Sequence, residues 1–259
     1  MKHTLTITKR TPLLLTLCVS ALVLSACQTT SNNEYATTAN NPSRTSNISE
    51  PHYQRPNPQA TQQSQKIDRA LEQAAITAAV KGNKTQSLNY LEKIYKRKST
   101  DPIAGLNYGK ALRSAGEFER AALVLEPFAK DSHTPSIAKT EYAAAQLALG
   151  NNDLAKKFAQ SAILQNQGDA RAYHYLGIAL DAEGNHEEAE RAFRKGLNIW
   201  EGDPIPIMNN LALNLASQNS LGEAIQILQK AKSIAPNRIE VERNLRIVRA
   251  LQESYNYTP

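Results

Sequence analysis

Gly82, Gly116, Gly150 and Gly184 stand 34 residues apart, and Asn219 extends the series after a further 35. A glycine recurring at one fixed interval marks a structure built from a single unit used repeatedly, because each unit needs the same backbone conformation at the same place. Two further columns keep this period. Five residues beyond each member stands a small residue, Ser87, Ala121, Ala155, Ala189 and Ala224, and seven residues before it stands another, Ala75, Gly109, Ala143, Gly177 and Ala212. A helical hairpin accounts for all three columns. Its first helix ends where a residue takes the left-handed conformation, which Gly enters freely and Asn tolerates. The spacing predicts that a small residue on the first helix faces a small residue on the second. Large neighbours then fill the spaces beside them: Leu91, Leu125, Phe193 and Leu228 on second helices, Tyr108, Tyr142, Leu176 and Leu211 on first helices.

Boundary signals agree with this register. Asp101-Pro102, Thr134-Pro135 and Asp203-Pro204 each place a capping side chain before a proline, and Pro236 follows the last second helix. Residues 170–203 carry the fullest set of motif positions, with Tyr173, Leu176, Gly177, Gly184, Ala189, Phe193 and Gly196. This pattern resembles the tetratricopeptide repeat. The fold expected is all-α, a solenoid of five helical hairpins over 68–101, 102–135, 136–169, 170–203 and 205–238. Ser87 departs from the usual alanine, Phe128 occupies a normally small position beside Pro127, and one residue is inserted near Pro204. The first two repeats are therefore expected to pack less regularly. Over 239–253, Val241, Leu245, Val248 and Leu251 recur at helical spacing between Glu242, Arg243, Arg246 and Arg249, as in a helix that caps an otherwise open stack. Residues 254–259 read as a tail.

The N-terminus reads as an address. Lys2, Lys9 and Arg10 precede an apolar run from Leu13 to Leu24, and the stretch ends in Leu24-Ser25-Ala26-Cys27. That run is shorter than the ~20 residues of a membrane-spanning helix and has the order of an export signal over 1–26. Its last four residues resemble the lipobox of bacterial lipoproteins, which implies acylation of the Cys27 sulfur and loss of Cys18 with the signal. Membrane attachment through acyl chains follows, each buried methylene contributing about 0.8 kcal/mol. Residues 27–67 are dominated by Thr, Ser, Asn, Gln and Pro and read as a disordered polar tether. The formal charge of +6 falls to +3 without Lys2, Lys9 and Arg10, too little and too dispersed for a nucleic-acid partner.

Nothing in the sequence nominates an enzyme. His52, His133, His174 and His186 have no cysteine or carboxylate at metal-ligand spacing, and every glycine of the column stops a helix rather than cradling a phosphate. Neither a metal nor a cofactor is expected. The chemistry offered is that of a concave face lined by outward positions of the first helices: Ile103, Leu106, Asn107, Lys110 and Arg113, then Arg171, His174, Tyr175 and Ile178, then Asn209, Asn210 and Leu213. Asn and Arg suit backbone or carboxylate groups of an extended peptide or helix, and Ile and Leu suit its apolar side chains. The Lys and Asn spacing of the carboxylate clamp in chaperone-binding repeat proteins is missing.

Gly177-Ile178-Ala179-Leu180-Asp181, Gly184-Asn185-His186, Asn209-Asn210-Leu211-Ala212-Leu213 and Arg243-Asn244-Leu245, behind a lipobox and a polar tether, resemble the TadD family of tight-adherence (Flp-type) pilus assembly lipoproteins over about residues 68–252. The resemblance implies an outer-membrane lipoprotein facing the periplasm. Its protein partner would be the pilus secretin or another pilus-assembly component, whose assembly or localisation it aids in the manner of a pilotin. Two other readings of the same residues stand beside it: a scaffold lipoprotein of outer-membrane protein insertion or peptidoglycan synthesis, and an accessory subunit of an envelope enzyme.

Overall fold

The computed structural model describes residues 58–256. The expected signal segment, Cys27 and most of the tether lie outside the described residues. Eleven helices and no strands make up the described part. They form five antiparallel hairpins, α1 (Pro58–Val80) with α2 (Lys84–Arg97), α3 (Pro102–Ser114) with α4 (Phe118–Lys130), α5 (Ser136–Ala148) with α6 (Asn152–Gln165), α7 (Ala170–Ala182) with α8 (His186–Asn198), and α9 (Ile205–Ser217) with α10 (Leu221–Ile234), followed by α11 (Ile239–Asn256). Each helix packs on its neighbours in sequence, and the first helices of adjoining hairpins touch from α3 onward. This is the nearest-neighbour architecture of a helical solenoid.

The turn column behaves as its residue types require. Gly82, Gly116, Gly150 and Gly184 have φ between +73° and +82°, and Asn219 takes +61° as the only non-glycine in that region among the described residues. In each turn the residue after the column bonds back to a carbonyl of the first helix, as Asn185 does to Leu180 at 2.9 Å and Ser220 to Leu215 at 2.9 Å.

The small columns pack in a way the spacing alone does not give. Ser87 Oγ donates to the Ala75 carbonyl at 3.0 Å, so the two small columns do meet in the first hairpin, and the hydroxyl there finds a partner. In the second and fourth hairpins, however, the glycine of the first helix lies beneath the large residue of the second. A Cβ on Gly109 would sit 2.4 Å from Leu125 Cγ, and one on Gly177 would sit 2.5 Å from the Phe193 ring. Helical side chains lean toward the N-terminus, so Phe193, one turn past Ala189, reaches back over the glycine.

Phe128 is accommodated by the same kind of exchange. A Cβ on Gly105 would fall 2.0 Å from its ring, whereas in the fourth hairpin the large residue, Tyr173, is on the first helix and the small one, Gly196, on the second. The second repeat is therefore complementary to itself rather than loosely packed. The core continues as one cluster around Tyr108, Leu112, Leu125, Tyr142 and Phe158 and another around Phe193, Ile207, Met208, Leu211, Leu228, Val241 and Val248.

Three boundaries differ from expectation. The first helix starts at Pro58, inside the stretch read as tether to residue 67. Gln62, Gln63, Gln65 and Lys66 are exposed but favour helix, and Arg97 holds the helix through Ser64 Oγ at 2.9 Å and Asp68 Oδ1 at 2.6 Å. Thr134 does not cap α5. Its hydroxyl donates back to the carbonyls of Phe128 and Asp131, securing the end of α4, while Pro135 precedes Ser136 without a side-chain cap. Asp101 and Asp203 do accept from the amides of Ile103 at 2.9 Å and Ile205 at 3.0 Å. The last helix runs to Asn256 and leaves Leu251 exposed, while Val241, Leu245 and Val248 close the core.

Gly105→Ala is expected to cost about 1–3 kcal/mol by overpacking. Phe128→Leu in the same chain should recover part of that loss, and thermal midpoints of the two single variants and the double variant check the coupling.

Candidate functional site

The first helices present their outward positions along one face of the stack. Successive members of one column there are Ile76, Lys110, Ala144, Ile178 and Leu213, and a second column reads Gln73, Asn107, Glu141, Tyr175 and Asn210. Polar bonds run across this face from helix to helix. Glu141 on α5 is fully buried and is held from both sides. Arg113 of α3 donates to its Oε2 through Nη2 at 2.8 Å and Nε at 3.1 Å, and Arg171 of α7 donates to Oε1 at 2.9 Å. Thr140 donates to Asp169 Oδ2 at 2.6 Å, and the other oxygen of Asp169 caps α7 through the amides of Arg171 and Ala172.

Further along, His174 of α7 meets Asn210 Nδ2 of α9 at 2.8 Å. Asn214, wholly buried, donates to Asp181 Oδ1 at 2.7 Å, and Asn209 accepts from Asn244 of α11 at 2.8 Å. Each junction from α3 to α11 thus has its own polar lock. Such locks contribute modest net stability, but loss of one partner strands a buried group, and that is costly.

His174 is the most perturbed titratable group on this face. It stacks on Tyr175 with ring centres 5.6 Å apart and meets the Trp200 ring edge-on at 5.5 Å. Burial pushes its pKa down from 6.5 to about 4, so it is neutral near neutral pH. Burial also pushes the Tyr175 phenol up, with Arg113 drawing it back.

The twelve expected lining residues divide into two groups. Arg113 and Arg171 are committed to Glu141, Asn209 to Asn244, and Asn210 to His174, which is buried rather than open to the groove. Leu106 is half-buried against the core. Ile103, Asn107 and Leu213 are exposed, Lys110, Tyr175 and Ile178 half-exposed, and Ile103 reaches 68% exposure. Sequence reasoning misses Glu141, Asp181, Asn214 and Asn244 as members of this face. The one signal for Glu141 is its place in the column of Asn107, Tyr175 and Asn210, where it is the single acidic member. A cleft of about 300 Å³ opens where α1 makes no contact with α3 comparable to those further along, bordered by Glu72, Ile76, Leu91, Ile103 and Asn107. Among the described residues no cluster of His, Cys, Asp and Glu could hold a metal ion, and no helix is long and apolar enough to cross a membrane.

The tetratricopeptide repeat family model matches residues 170–201 and 207–235. No curated protein matches the sequence. Among solved structures, MamA from Desulfovibrio magneticus is 20% identical with a TM-score of 0.54, over 66% of this chain and 97% of that one. A thermophilic repeat protein of Thermus thermophilus is 18% identical with a TM-score of 0.60, over 70% and 98%. YrrB, a repeat protein with an unusual peptide-binding site, is 17% identical with a TM-score of 0.52, over 71% and 95%. The fold is a tetratricopeptide-repeat solenoid, the architecture of a protein-binding scaffold.

Replacing both Arg113 and Arg171 by Gln is expected to cost about 3–5 kcal/mol, because it leaves a buried carboxylate unpaired. Adding Glu141→Gln should restore much of that stability in a denaturant titration. His174 gives a pH signature of defined sign. The unfolded chain binds a proton as pH falls through 6.5 and the folded chain only near 4, so this contribution is complete above about 6.5 and is lost on acidification toward 4. It amounts to about 3 kcal/mol. The fall in thermal midpoint between pH 7 and pH 4.5 should be smaller in His174→Gln than in the parent.

Proposed function

We propose that the chain is an acyl-anchored scaffold of the outer membrane, facing the periplasm, which acts as a pilotin for the tight-adherence pilus secretin. The observation that carries this reading is the face of the first helices, where Ile76, Ile103 and Leu213 are exposed and Lys110, Arg113, Arg171 and Ile178 half-exposed, set on a ladder of polar bonds between successive helices. A preorganised face of this kind loses little entropy when it binds an extended segment. The peptide-binding site of YrrB, on a similar fold, supports a peptide ligand.

The remaining support comes from the sequence. The Leu24-Ser25-Ala26-Cys27 lipobox supplies an anchor, and the polar stretch after it supplies a leash. In this mechanism acylation of Cys27 concentrates the solenoid at the membrane, the leash lets it search, and the concave face captures a secretin segment and holds it near the bilayer. Gln28 after the cysteine, in place of the Asp that retains enteric lipoproteins in the inner membrane, supports the outer-membrane address.

Cys27→Ala should leave the helical content unchanged, abolish incorporation of labelled palmitate and reduce secretin multimers in the outer-membrane fraction several-fold. Undiminished multimers in that variant would remove the anchor from the mechanism. Recovery of insertion-machinery or peptidoglycan-synthesis proteins instead of a secretin with a tagged copy would transfer the scaffold to one of the two alternative systems.

A further inference from the structure

The lock on Glu141 leaves more positive charge on the concave face than it consumes. Arg113 uses Nε and Nη2 on one carboxylate oxygen and Arg171 uses only Nη1 on the other, so one guanidinium keeps Nη1 and the other keeps Nε and Nη2 without a protein acceptor among the described residues. The ammonium of Lys110, one turn before Arg113 on the same face of α3, makes no hydrogen bond or ion pair among them, and neither does the Tyr175 hydroxyl. Two arginines thus share one carboxylate, and Lys110 adds a third cation to the same helix face. Asp169, which caps α7, is occupied by Thr140 and by the amides at the start of that helix. Asp181 is likewise occupied by His186 and Asn214.

Glu141 does for these arginines what a supporting group does in a built site. It is buried, it bonds to both, and it fixes their planes, while the Arg113 side chain stays 27% and that of Arg171 39% exposed. An arginine so held loses less freedom on taking a second acceptor than one moving in solvent.

The surroundings define what the acceptor is attached to. Apolar side chains stand on the concave face on both sides of α5, Ile76 and Ile103 toward the first hairpin and Ile178 and Leu213 toward the last. A ligand ending at the arginines would leave one of these flanks uncovered. We infer that Arg113, Arg171, Lys110 and Tyr175 form a receptor for an aspartate or glutamate side chain within an extended peptide whose flanking apolar residues lie on Ile76 and Ile103 at one end and Ile178 and Leu213 at the other. The site deepens the scaffold reading and rests on it, since it names the chemistry of the captured segment.

The test uses the full chain in detergent and fluorescent peptides of alternating Leu and Ser with a single central Asp, each C-terminally amidated, in anisotropy titrations. The central-Asp peptide should bind at least tenfold tighter than its central-Asn counterpart, and its affinity should fall with added salt. Lys110→Glu and Tyr175→Phe alter an ammonium and a hydroxyl that make no hydrogen bond among the described residues, the Phe ring keeping the stack on His174, and each should reduce the Asp preference several-fold. Arg171→Gln should reduce it most, with circular dichroism verifying that the variant is folded. Equal affinity for the Asp and Asn peptides, or a preference unchanged in all three variants, overturns the carboxylate site and leaves the scaffold reading standing. Binding that requires a free C-terminal carboxylate overturns it in favour of end recognition. Failure of every peptide to bind overturns the site and the peptide-binding reading together.

Discussion

Two helices of a hairpin lie close where a small residue, Ala or Gly, stands on the facing side of one of them, and this packing of small against larger groups is what the rest of the molecule depends on. Phe193 occupies the space that a Cβ on Gly177 would need, and Leu125 does the same over Gly109. Because this packing sets the spacing and rotation of a hairpin, it also fixes which residues of the first helix point outward. The concave face inherits its order from there: a column with a 34-residue period becomes a row of side chains at regular intervals across the stack.

That row is held by a second kind of interaction. The bonds Arg113–Glu141–Arg171, His174–Asn210, Asn214–Asp181 and Asn244–Asn209 each join one first helix to the next, or to the capping helix. They are buried or half-buried, so water does not compete freely for their partners, and a shift of one hairpin against another would strand several groups together. Apolar packing sets the hairpins and polar pairing sets their relation. The resulting face is tied together where it is polar and open where it is apolar, which is the arrangement the proposed capture of an extended segment uses.

The sequence reveals the parts of this that repeat. The turn column, the Ala and Gly columns, five hairpins and a terminal helix all follow from the interval between Gly82 and Gly184 and its continuation at Asn219, because one local conformation at one position is a property a chain displays without folding. Pairings are another matter. Gly105 and Phe128 look like two irregularities until the fold places one over the other, and Phe128 read alone signals poor packing. Glu141, likewise, is a single charge in a polar column, and only the register of α3 against α5 and α7 shows two arginines converging on it. Helical position alone puts His174 in the groove, yet Phe193 and Trp200 close on it from later in the chain while its neighbour Tyr175 stacks on it. Residues 58–67 have Ile67 as their one large apolar side chain and so read as tether, whereas their helix propensity and the reach of Arg97 to Ser64 decide their conformation.

The account stands or falls on whether partners meet the concave face. A photo-crosslinking amino acid placed in intact cells at Ile103 or Ile178, and in separate strains at the exposed second-helix positions Leu123 and Leu164, tests this directly. Discrete protein adducts from the first pair and none from the second are predicted, with the crosslinked peptide carrying an acidic residue within its length. Adducts of equal yield from both faces, or from Leu123 and Leu164 alone, would contradict it.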